Sequence, residues 1–331
     1  MVEQEELWLT DAEKTGICGE SLVNTLYGKN ITIGLQGDLG SGKTTLIQAF
    51  LQKLGIQQNI TSPTYALEQR YTAGDSTEVI HMDLYRLQES DAVKLTEQTA
   101  DHEGIRCIEW VERTGNTDQC DILLSLSDHL KGGRSLSVEF RDMDYPTTPS
   151  ISQWREDVQL PLHIAKHCDA VAALTSTLCD SLMKNGVIIR REALYRAAQI
   201  HDLFRFVDFK ELGSKSPNAY NEQERIWHTW KMQYPDSTHE EACTIFLEEQ
   251  GYTDFASIIL PHGLGSSPAY PLKTIEQKLL FYADKRVMED TVVTLQQRFD
   301  DFLVRYGNGK SSPQSKAWLE ESIALEKELL G

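Results

Sequence analysis

The spacing of apolar residues changes near the middle of the chain. Before residue 148, short apolar runs alternate with segments rich in Gly, Pro and polar residues, a pattern typical of strands joined by loops and helices. Residues 7–28 are expected to form an entry segment and a helix. The predicted strands cover residues 31–35, 60–65, 78–86, 105–110, 122–127 and 135–140, and the last two are expected to form a hairpin. The first part of the chain is therefore predicted to be an α/β domain.

After residue 148, apolar residues recur every three or four positions, as on the buried face of an amphipathic helix. The predicted helices cover residues 160–184, 191–206, 240–249, 255–260, 274–306 and 316–330. Between the two patterns, residues 141–150 combine prolines, threonines and charges, which is the composition of a linker. We therefore expect two domains, residues 1–148 and residues 149–331, and the second is predicted to be all-helical.

Composition limits the classes of binding partner. The chain has 331 residues, of which 40% are hydrophobic and 25% charged, enough to bury two cores. Its 32 basic and 50 acidic residues give a net charge of −18, which argues against a broad grip on nucleic acid or on an anionic membrane. Lys184, Arg190, Arg191 and Arg196 form either a local basic patch or a solvated helix face. Strong direct binding of nucleic acid is therefore not expected.

Cysteine usage and the N-terminal sequence favour a cytoplasmic protein. The six cysteines contain no C-x-x-C pair, so they are expected to be reduced thiols. Residues 1–6 are acidic and lack the basic and apolar regions of a signal peptide, and no apolar run is as long as a membrane span. We therefore expect cytoplasmic localisation and no membrane partner.

The segment from Gly37 to Thr44 reads GDLGSGKT and fits the G-x-x-x-x-G-K-[ST] pattern. It lies between the predicted strand 31–35 and the helix-forming run 45–51, the context that a phosphate-binding loop requires. Glycines let backbone N–H groups turn inward, and the helix N-terminus adds the positive end of its dipole. Lys43 is expected to reach the β- and γ-phosphates of a nucleoside triphosphate, and the hydroxyl of Thr44 to hold Mg²⁺. The predicted nucleotide contacts are Gly37, Asp38, Leu39, Gly40, Ser41, Gly42, Lys43, Thr44 and Thr45.

Two acidic residues end predicted strands beside this loop. Asp83 lies at the end of one strand, and Glu109 has a similar place in the run 105–110. A carboxylate at the carboxyl end of a strand beside a phosphate loop can hold Mg²⁺ or its waters. Either residue alone could also be a plain strand-end charge.

Four ordered motifs resemble the TsaE family, small bacterial P-loop ATPases that assist threonylcarbamoyl-adenosine modification of tRNA. The motifs are residues 37–45, SPTY at 62–65, HMDLYRL at 81–87 and IEW at 108–110. The resemblance covers residues 7–142. It implies a P-loop NTPase fold, binding of ATP and Mg²⁺, slow hydrolysis in isolation, and partnership with the other proteins of that tRNA modification.

The resemblance also implies roles for single residues. Thr64 would sense the γ-phosphate and the metal, Asp83 would support the metal, and Glu109 would orient or deprotonate water. Trp110 would either pack over the nucleotide-side machinery or be a plain core aromatic, and Thr15 would lie near the adenine. The implied magnesium set is Thr44, Thr64, Asp83 and Glu109.

In the second half, residues that can ligate a metal fall on three predicted helices. His167 lies on the first, His201 and Asp202 on the second, and Asp284 on a long late helix. Adjacent helical residues are ~100° apart, so His201 and Asp202 can both lean towards one metal beside a helix seam. His167 and Asp284 could complete a set of two histidines and two carboxylates. The alternative is four unrelated polar residues, because His-Asp dipeptides arise by chance.

The ordered H…HD…D set in a helical domain resembles the HD superfamily of metal-dependent phosphohydrolases over residues 155–305. The resemblance implies a divalent transition metal (Mn, Fe, Co, Ni or Zn) and catalysis of phosphoester hydrolysis that involves Asp202. His239 and His262 are expected at helix ends, either as solvent-exposed histidines or as ligands of a second metal or of the scissile phosphate. Arg205, one helical turn after the histidine of the His-Asp pair, could hold a phosphate.

Together these features predict an α/β P-loop NTPase domain followed by an all-α HD domain. The aromatic residues Phe204, Phe206, Trp227 and Tyr282 could stack a base or belong to the core. Small phosphate esters, with nucleoside monophosphates first, are the expected substrates of the second domain. Two alternatives stay open: an ATP-driven assembly factor whose helical half is a binding scaffold, and a P-loop kinase whose helical half binds the phosphate acceptor.

Overall fold

Tertiary contacts divide the chain into two units. The computed structural model describes residues 2–28, 30–209, 221–265, 269–306 and 310–331. The first unit contains Met1–Met143 and Ser181–Arg190, and the second contains Asp144–Asp180 and Arg191–Gly331. The predicted linker, residues 141–150, includes the first change of unit, whereas the grouping of residues 181–190 with the first unit was not expected. A domain boundary at residue 148 stays a prediction.

The first unit is built on a seven-stranded sheet in the order β1-β7-β6-β2-β5-β4-β3. Its strands are β1 (Glu3–Leu9), β2 (Ile31–Gly37), β3 (Glu68–Thr72), β4 (Glu78–Asp83), β5 (Ile105–Glu109), β6 (Ile122–Asp128) and β7 (Arg134–Phe140). The four strands β6, β2, β5 and β4 are parallel neighbours, and the outer strands pair antiparallel. The carboxyl ends of the parallel strands meet at one edge, where Gly37, Asp83 and Glu109 lie.

Three α-helices accompany this sheet: α1 (Ala12–Leu22), α2 (Lys43–Lys53) and α3 (Glu89–Glu97). Every residue of β5 and every residue of β4 after Glu78 is buried, as expected for parallel strands covered on both faces. One apolar cluster contains Ile80, Met82, Leu84, Ala92, Ile108, Val111, Cys120 and Leu123. This packing holds the strand ends that carry Asp83 and Glu109.

Most of the predicted strands are confirmed, with two differences. The acidic N-terminal segment forms β1, which pairs with β7 and buries Leu7 and Leu9, so the first strand of the chain precedes α1. Residues 60–65, predicted as an interrupted strand, form a loop and turn, in keeping with Pro63, which lacks the N–H of a strand ladder. The edge strand β3 follows that turn and has no apolar alternation that could reveal it.

Arg190 is a structural residue of the first unit. Its guanidinium donates to both carboxylate oxygens of Asp142, at 2.7 and 2.8 Å, and its side chain is only 1% exposed. Arg191 and Arg196, in the second unit, also pair with carboxylates. The charges of these three arginines are therefore already paired, which gives no support to the alternative of a local basic patch.

The second unit is helical. Its helices are α4 (Thr148–Asp157), α5 (Leu162–Lys184), α6 (Arg191–Ile200), α7 (Glu222–Gln233), α8 (His239–Glu249), α9 (Thr253–Ile259), α10 (Ile275–Arg286), α11 (Leu295–Tyr306) and α12 (Pro313–Leu330). A capping box begins each of α7, α8 and α10. The side chains of Asn221, Thr238 and Thr274 accept a hydrogen bond from the backbone N–H of the residue three positions later. The side chain of that later residue accepts a hydrogen bond from the backbone N–H of the capping residue. Within the described parts of the chain, none of the helices is long and apolar enough to cross a membrane.

Two departures from the predicted helices affect the candidate site. The expected helix over residues 274–306 is interrupted by a small antiparallel hairpin of β8 (Val287–Met288) and β9 (Thr291–Val292), with Glu289 in the turn at φ 57°. β-Branched residues next to a turn favour such a hairpin over a continuous helix. In addition, α6 ends at Ile200, so His201 and Asp202 lie in the turn that follows the helix.

Candidate functional site

The phosphate-loop motif forms a tight connection between β2 and α2. Gly37 has φ 131°, and a Cβ there would lie 2.1 Å from the carbonyl oxygen of Leu126. Gly42 has φ 106° and is the N-cap of α2. Both positions favour glycine, the first for close approach and the second for its left-handed backbone. The loop therefore has the strand–loop–helix geometry that its sequence predicts.

Lys43 is held inside this loop. Its Nζ donates to the carbonyl oxygens of Gly37 and Asp38 at 2.6 and 2.9 Å, and lies 3.7 Å from the ring centroid of Trp110. Burial lowers the pKa of Lys43, and the nearby carboxylates of Glu112 and Glu109 oppose that shift. The ammonium is thus aimed at the loop interior, and Trp110 packs both over it and against the apolar cluster of the sheet, so the nucleotide-side role of Trp110 stays a prediction.

Oxygen atoms of the predicted magnesium set converge beside Lys43. The hydroxyl of Thr44 donates to Glu109 Oε2 at 2.7 Å, and the hydroxyl of Thr64 donates to Asp83 Oδ2 at 2.5 Å. Ser62 also donates to Asp83 Oδ2, at 3.2 Å. Hydroxyl and carboxylate oxygens are the ligands that Mg²⁺ prefers, so this donor set fits that ion.

These groups line a cleft of about 340 Å³. Its walls are formed by Leu39, Gly40, Ser41, Gly42, Lys43, Thr44, Thr45, Ser62, Thr64, Asp83, Tyr85, Glu109 and Trp110. Thr15 does not line the cleft; its hydroxyl donates to Asp11 O at 3.1 Å in its own helix. The methyl group of Thr15 faces Gly42, where an added Cβ would lie 3.6 Å away. The cleft therefore unites seven of the nine predicted loop residues with the predicted magnesium set, whereas Gly37, Asp38 and Thr15 do not line it.

Ser62 and Tyr85 of the cleft wall lie outside the predicted set, as do two residues that support the site from behind. The guanidinium of Arg134 donates to the carbonyl oxygens of Ser41 and Gly40, at 3.2 and 3.1 Å, and fixes the loop from behind. His81 is fully buried in β4, and its Nε2 lies 2.8 Å from Glu109 Oε1. His81 belongs to the HMDLYRL motif, which is the signal that could have marked it; nothing in the sequence links Arg134 to the loop.

The second unit brings the four predicted metal ligands together. His167 Nε2 lies 2.9 Å from Asp284 Oδ1, and His201 Nε2 lies 3.8 Å from the same oxygen. His201 Nε2 is also 4.0 Å from Asp202 Oδ2. The ligand atoms of His167, His201 and Asp284 all lie within 4.8 Å of one another, which is close enough for one ion.

The two further histidines join the same cluster. His239 Nε2 lies 3.0 Å from Asp202 Oδ1, and His262 Nε2 lies 3.7 Å from it. The two Nε2 atoms are 3.3 Å apart. His239 and His262 are 3% and 2% exposed, so the expectation of solvent-exposed histidines is wrong. Asp202 therefore faces both halves of one cluster, through Oδ2 towards His201 and through Oδ1 towards the second pair.

The outer nitrogens of these histidines are also held. Nδ1 of His167 lies 3.0 Å from the carbonyl oxygen of Glu289, in the unpredicted hairpin. Nδ1 of His201 and of His262 lie 2.8 and 2.7 Å from backbone carbonyl oxygens, and Nδ1 of His239 lies 2.6 Å from Asp208 Oδ2. A carbonyl or carboxylate at Nδ1 selects the tautomer with hydrogen there and leaves Nε2 as a metal ligand.

Electrostatics keep both carboxyl groups of the cluster ionised. Burial alone would raise the pKa of Asp202, but the charge of His201 and hydrogen bonds from His239 and His262 hold it well below its usual value. The pKa of Asp284 is lowered in the same way, against burial, by Lys285 above all, whose ammonium donates to Asp284 Oδ2. The hydrogens that the imidazole Nε2 atoms share with these carboxylates would be released on binding of a divalent transition metal, because ligating histidines are neutral, and ionised carboxylates with such imidazoles form a suitable donor set.

Arg205, predicted as a phosphate ligand, lies at the edge of this cluster. Its Nη1 is 3.0 Å from the ring nitrogens of His239 and 3.3 Å from Asp208 Oδ2. The side chain is 33% exposed, so it can still be reached from solvent. Asp208, Lys285 and Glu240, whose Oε2 lies 3.1 Å from His239 Nδ1, were not predicted, because charged residues near a turn or helix end carry no distinctive pattern.

The aromatic residues proposed for base stacking belong to the core. Phe204, Phe206 and Tyr282 are at most 1% exposed, and Trp227 is 9% exposed. Phe206 and Trp227 stack on one another with centroids 5.6 Å apart. Rings enclosed by other side chains cannot receive a nucleobase, so the core alternative is the right one.

Comparisons with known proteins match the first unit. The profile of the family described as "Threonylcarbamoyl adenosine biosynthesis protein TsaE" matches residues 9–136. A Nostoc protein named "tRNA threonylcarbamoyladenosine biosynthesis protein TsaE" is 39% identical over 113 residues, 33% of this chain and 68% of the relative. Relatives with the same name from Haemophilus influenzae and Aquifex aeolicus are 35% and 34% identical, and cover 36% and 37% of this chain and 76% and 85% of their own lengths.

Among solved structures, the crystal structure of Bacillus subtilus YdiB covers 42% of this chain and 87% of that chain, with a TM-score of 0.35 and 21% sequence identity. The family assignment rests on the sequence matches, which include the phosphate loop and both acidic strand ends. Because relatives at least 34% identical are matched over 68% or more of their length, the chain belongs to the TsaE family.

Proposed function

We propose that the first unit binds ATP with Mg²⁺, hydrolyses it slowly, and serves the biosynthesis of threonylcarbamoyladenosine in tRNA together with the other proteins of that modification. The observation that carries this proposal is the cleft in which Lys43, Thr44, Thr64, Asp83 and Glu109 converge in a member of the TsaE family. Its relatives are named for that biosynthesis.

Different residues of the cleft would bind the phosphates, hold the magnesium ion and orient the attacking water. The loop N–H groups and the N-terminus of α2 bind phosphate oxygens, and Lys43 supplies positive charge beside them. Thr44, Thr64, Asp83 and Glu109 would hold Mg²⁺, which when bound neutralises negative charge on the phosphates. Glu109 is 1% exposed and bonded at both carboxylate oxygens, so it can orient an attacking water with little freedom of its own.

Exchange of the carboxylate at residue 109 tests the ATPase. Glu109→Gln keeps the size of the side chain but removes its charge, so we expect ATP to bind and hydrolysis to fall by ~100-fold or more, the usual contribution of a positioned general base. ATP affinity is measured by calorimetry, and ADP formation in single turnovers. Wild-type hydrolysis in the Glu109→Gln variant would contradict the role of this residue.

The link to tRNA is tested separately. The full chain is expressed in a bacterium depleted of its own TsaE, and threonylcarbamoyladenosine in its tRNA is measured by mass spectrometry, with Lys43→Ala as the inactive control. We expect the wild-type chain to restore the modification. Unchanged tRNA despite a functional ATPase would assign the ATPase to another process.

We propose, in addition, that the second unit is an HD-type phosphohydrolase that uses a divalent transition metal (Mn, Fe, Co, Ni or Zn). The supporting observation is a buried cluster of four histidines and two aspartates, in which the outer nitrogen of every ring is already held. Buried polar groups in this number require a compensating partner, and imidazole with carboxylate is the donor set of these metals.

The cluster offers two overlapping positions. His167, His201 and Asp284, with Asp202, would hold one ion. His239, His262 and Glu240, with the other oxygen of Asp202, would hold a second ion or the scissile phosphate. A bound ion of this class supplies Lewis acidity at a phosphate oxygen. Arg205, at the rim, is placed to bind the remaining phosphate oxygens through its guanidinium.

The proposed substrate is a small phosphate ester. The net charge of −18 disfavours a long polyanionic polymer. Since the aromatic residues near the ligands are in the core, a base-stacking preference has no support from them, and nucleoside monophosphates are the first class to test rather than a deduction from these rings.

Metal content and phosphate release from the purified full chain test this second activity. The assay uses ribo- and deoxyribonucleoside monophosphates, sugar phosphates and dinucleoside polyphosphates, with Mn²⁺, Co²⁺, Ni²⁺, Fe²⁺ and Zn²⁺ supplied in turn. We expect bound metal and release from at least one class of ester. Bound metal without hydrolysis of any substrate, or no metal at all, would favour a binding scaffold.

A further inference from the structure

His81 is a buried polar residue whose contacts point to a specific task. It lies in β4 with 0% of its side chain exposed, opposite Cys107 of β5. Because β4 and β5 are parallel and Asp83 is opposite Glu109, the side chains of His81 and Glu109 lie on the same face, one step apart along the sheet. A histidine rarely has full burial without a polar partner, and the partner here is Glu109.

The carboxylate of Glu109 is gripped from two sides. His81 Nε2 lies 2.8 Å from Oε1, and the hydroxyl of Thr44 donates to Oε2 at 2.7 Å. Thr44 is also a proposed magnesium ligand, so its contact with Glu109 would be exchanged if its hydroxyl binds the ion. The contact with His81 comes from inside the sheet, which does not have to move. The hydrogen bond with His81 therefore keeps the Glu109 side chain in place.

The surroundings of the ring also select its tautomer. A carboxylate oxygen can only accept a hydrogen bond, so Nε2 carries the hydrogen. The other nitrogen, Nδ1, is buried and has no hydrogen-bond partner among the described residues. Hydrogen at Nδ1 would leave a buried donor unsatisfied, so the arrangement favours a ring that donates once, to Glu109.

We propose that His81 is a positioning residue for ATP hydrolysis: it holds the Glu109 carboxylate in the orientation that directs water at the γ-phosphate. This inference rests on the proposed ATPase function. His81 touches neither phosphate nor metal, so it acts on the rate of the chemical step through Glu109 and leaves nucleotide binding to the loop.

The test compares His81→Leu, which removes the donor, with His81→Gln, whose Nε2 can donate at a similar reach. Outer partners of this kind are typically worth ~10–100-fold, so we expect kcat of the Leu variant to fall by that factor, with KM and the ATP dissociation constant within about twofold of wild type. The Gln variant should recover most of the loss.

Val79→Ala is the matched control, because Val79 is also fully buried in β4, two residues before His81 and on the same face. The Val79→Ala variant measures the effect of lost packing in β4 alone, and its kcat should stay near the wild-type value. Equal losses in the Val79→Ala, His81→Leu and His81→Gln variants would reduce His81 to a core residue and overturn the inference. A Leu variant with unchanged kcat would overturn it too.

A measurement without turnover separates this inference from the ATPase itself. In protein labelled with ¹⁵N-histidine, the His81 ring, assigned by its loss in the Gln variant, should show hydrogen on Nε2, and its signal should shift in Glu109→Ala. A ring with hydrogen on Nδ1 would refute the contact even if ATP is hydrolysed. If the tautomer is as expected and wild-type protein fails to hydrolyse ATP, the failure lies with the proposed function, and the positioning role falls with it.

Discussion

The two candidate sites are assembled in opposite ways. The cleft of the first unit is built around one contiguous motif, residues 37–45, and the ends of two strands that neighbour it in the sheet. The cluster of the second unit takes its six candidate ligands from five segments of the chain, and His167 and Asp284 are 117 positions apart. A contiguous site depends mainly on local backbone geometry, whereas a dispersed site depends on the packing of the whole unit.

The two sites also differ in how their charged groups are hydrogen-bonded. In the first unit, Lys43 donates to loop carbonyls, and Glu109 and Asp83 each accept from hydroxyls, so the groups are satisfied one by one. In the second, Asp202 faces three histidines at once, and the buried Nε2 of His201 has no hydrogen-bond partner among the described residues. Because one carboxylate contacts several histidines, we expect a substitution of one residue to alter the contacts of the others in the cluster.

The largest effect is therefore expected at Asp202, the residue common to both halves of the cluster. Asp202→Ala should lower metal affinity by at least ~100-fold, more than the loss of a typical outer-shell partner, and abolish phosphate release. Elemental analysis after dialysis against metal-free buffer measures the loss. ATP affinity should stay unchanged; metal retained at the wild-type level would refute the shared-ligand arrangement.

A large but local effect is expected at Lys43. Lys43→Ala removes hydrogen bonds from a charged group, worth ~1.5–3 kcal/mol each, so ATP affinity should fall by ~10–100-fold while metal content in the second unit is preserved. Lys53→Ala, at the exposed end of the same helix, is the control and should bind ATP normally. Calorimetric titration of both variants decides the point, and a normal affinity for Lys43→Ala would exclude the phosphate-loop assignment.

A smaller effect is expected at Asp208, which holds Nδ1 of His239. Asp208→Ala should free the imidazole to rotate and weaken metal binding at the second position by ~10-fold, in the range of other outer partners of ligating histidines. Competition with a coloured chelator measures the affinity of each equivalent of metal. Equal weakening of both equivalents would mean that the cluster behaves as a single site.

The smallest effect is expected at Arg134, which supports the phosphate loop from behind. Arg134→Ala removes two hydrogen bonds to loop carbonyls, but Asp128, its carboxylate partner, is 88% exposed and is easily solvated. We expect ATP affinity to drop by roughly 3–10-fold, equivalent to about 1 kcal/mol. Arg141→Ala, which lacks a contact with the loop, should have no such effect in the same titration; a loss as large as that of Lys43→Ala would make Arg134 a ligand-binding residue.

The sequence was sufficient to predict the elements that depend on the order of neighbouring residues. The phosphate loop, the strands that end in Asp83 and Glu109, and the β6–β7 hairpin follow from periodicity and turn residues. It was insufficient for β1, whose pairing with β7 joins segments more than 120 positions apart, and for the hairpin that interrupts residues 274–306. The first pairing is too distant along the chain to leave a mark in a local pattern, and the second has only two residues in each strand, too few to interrupt the helical spacing of apolar residues around it.

The sequence by itself determined the family of the first unit and the place of its phosphate loop, because motif order and residue type specify both, and it marked the H…HD…D residues as candidate metal ligands. Tertiary structure alone decided how these residues are held: that His239 and His262 are buried beside Asp202, that Arg134 reaches the loop, and that His81 grips Glu109. The physical reason is that burial and hydrogen bonding depend on distances between elements, and packing sets those distances only when the chain has folded.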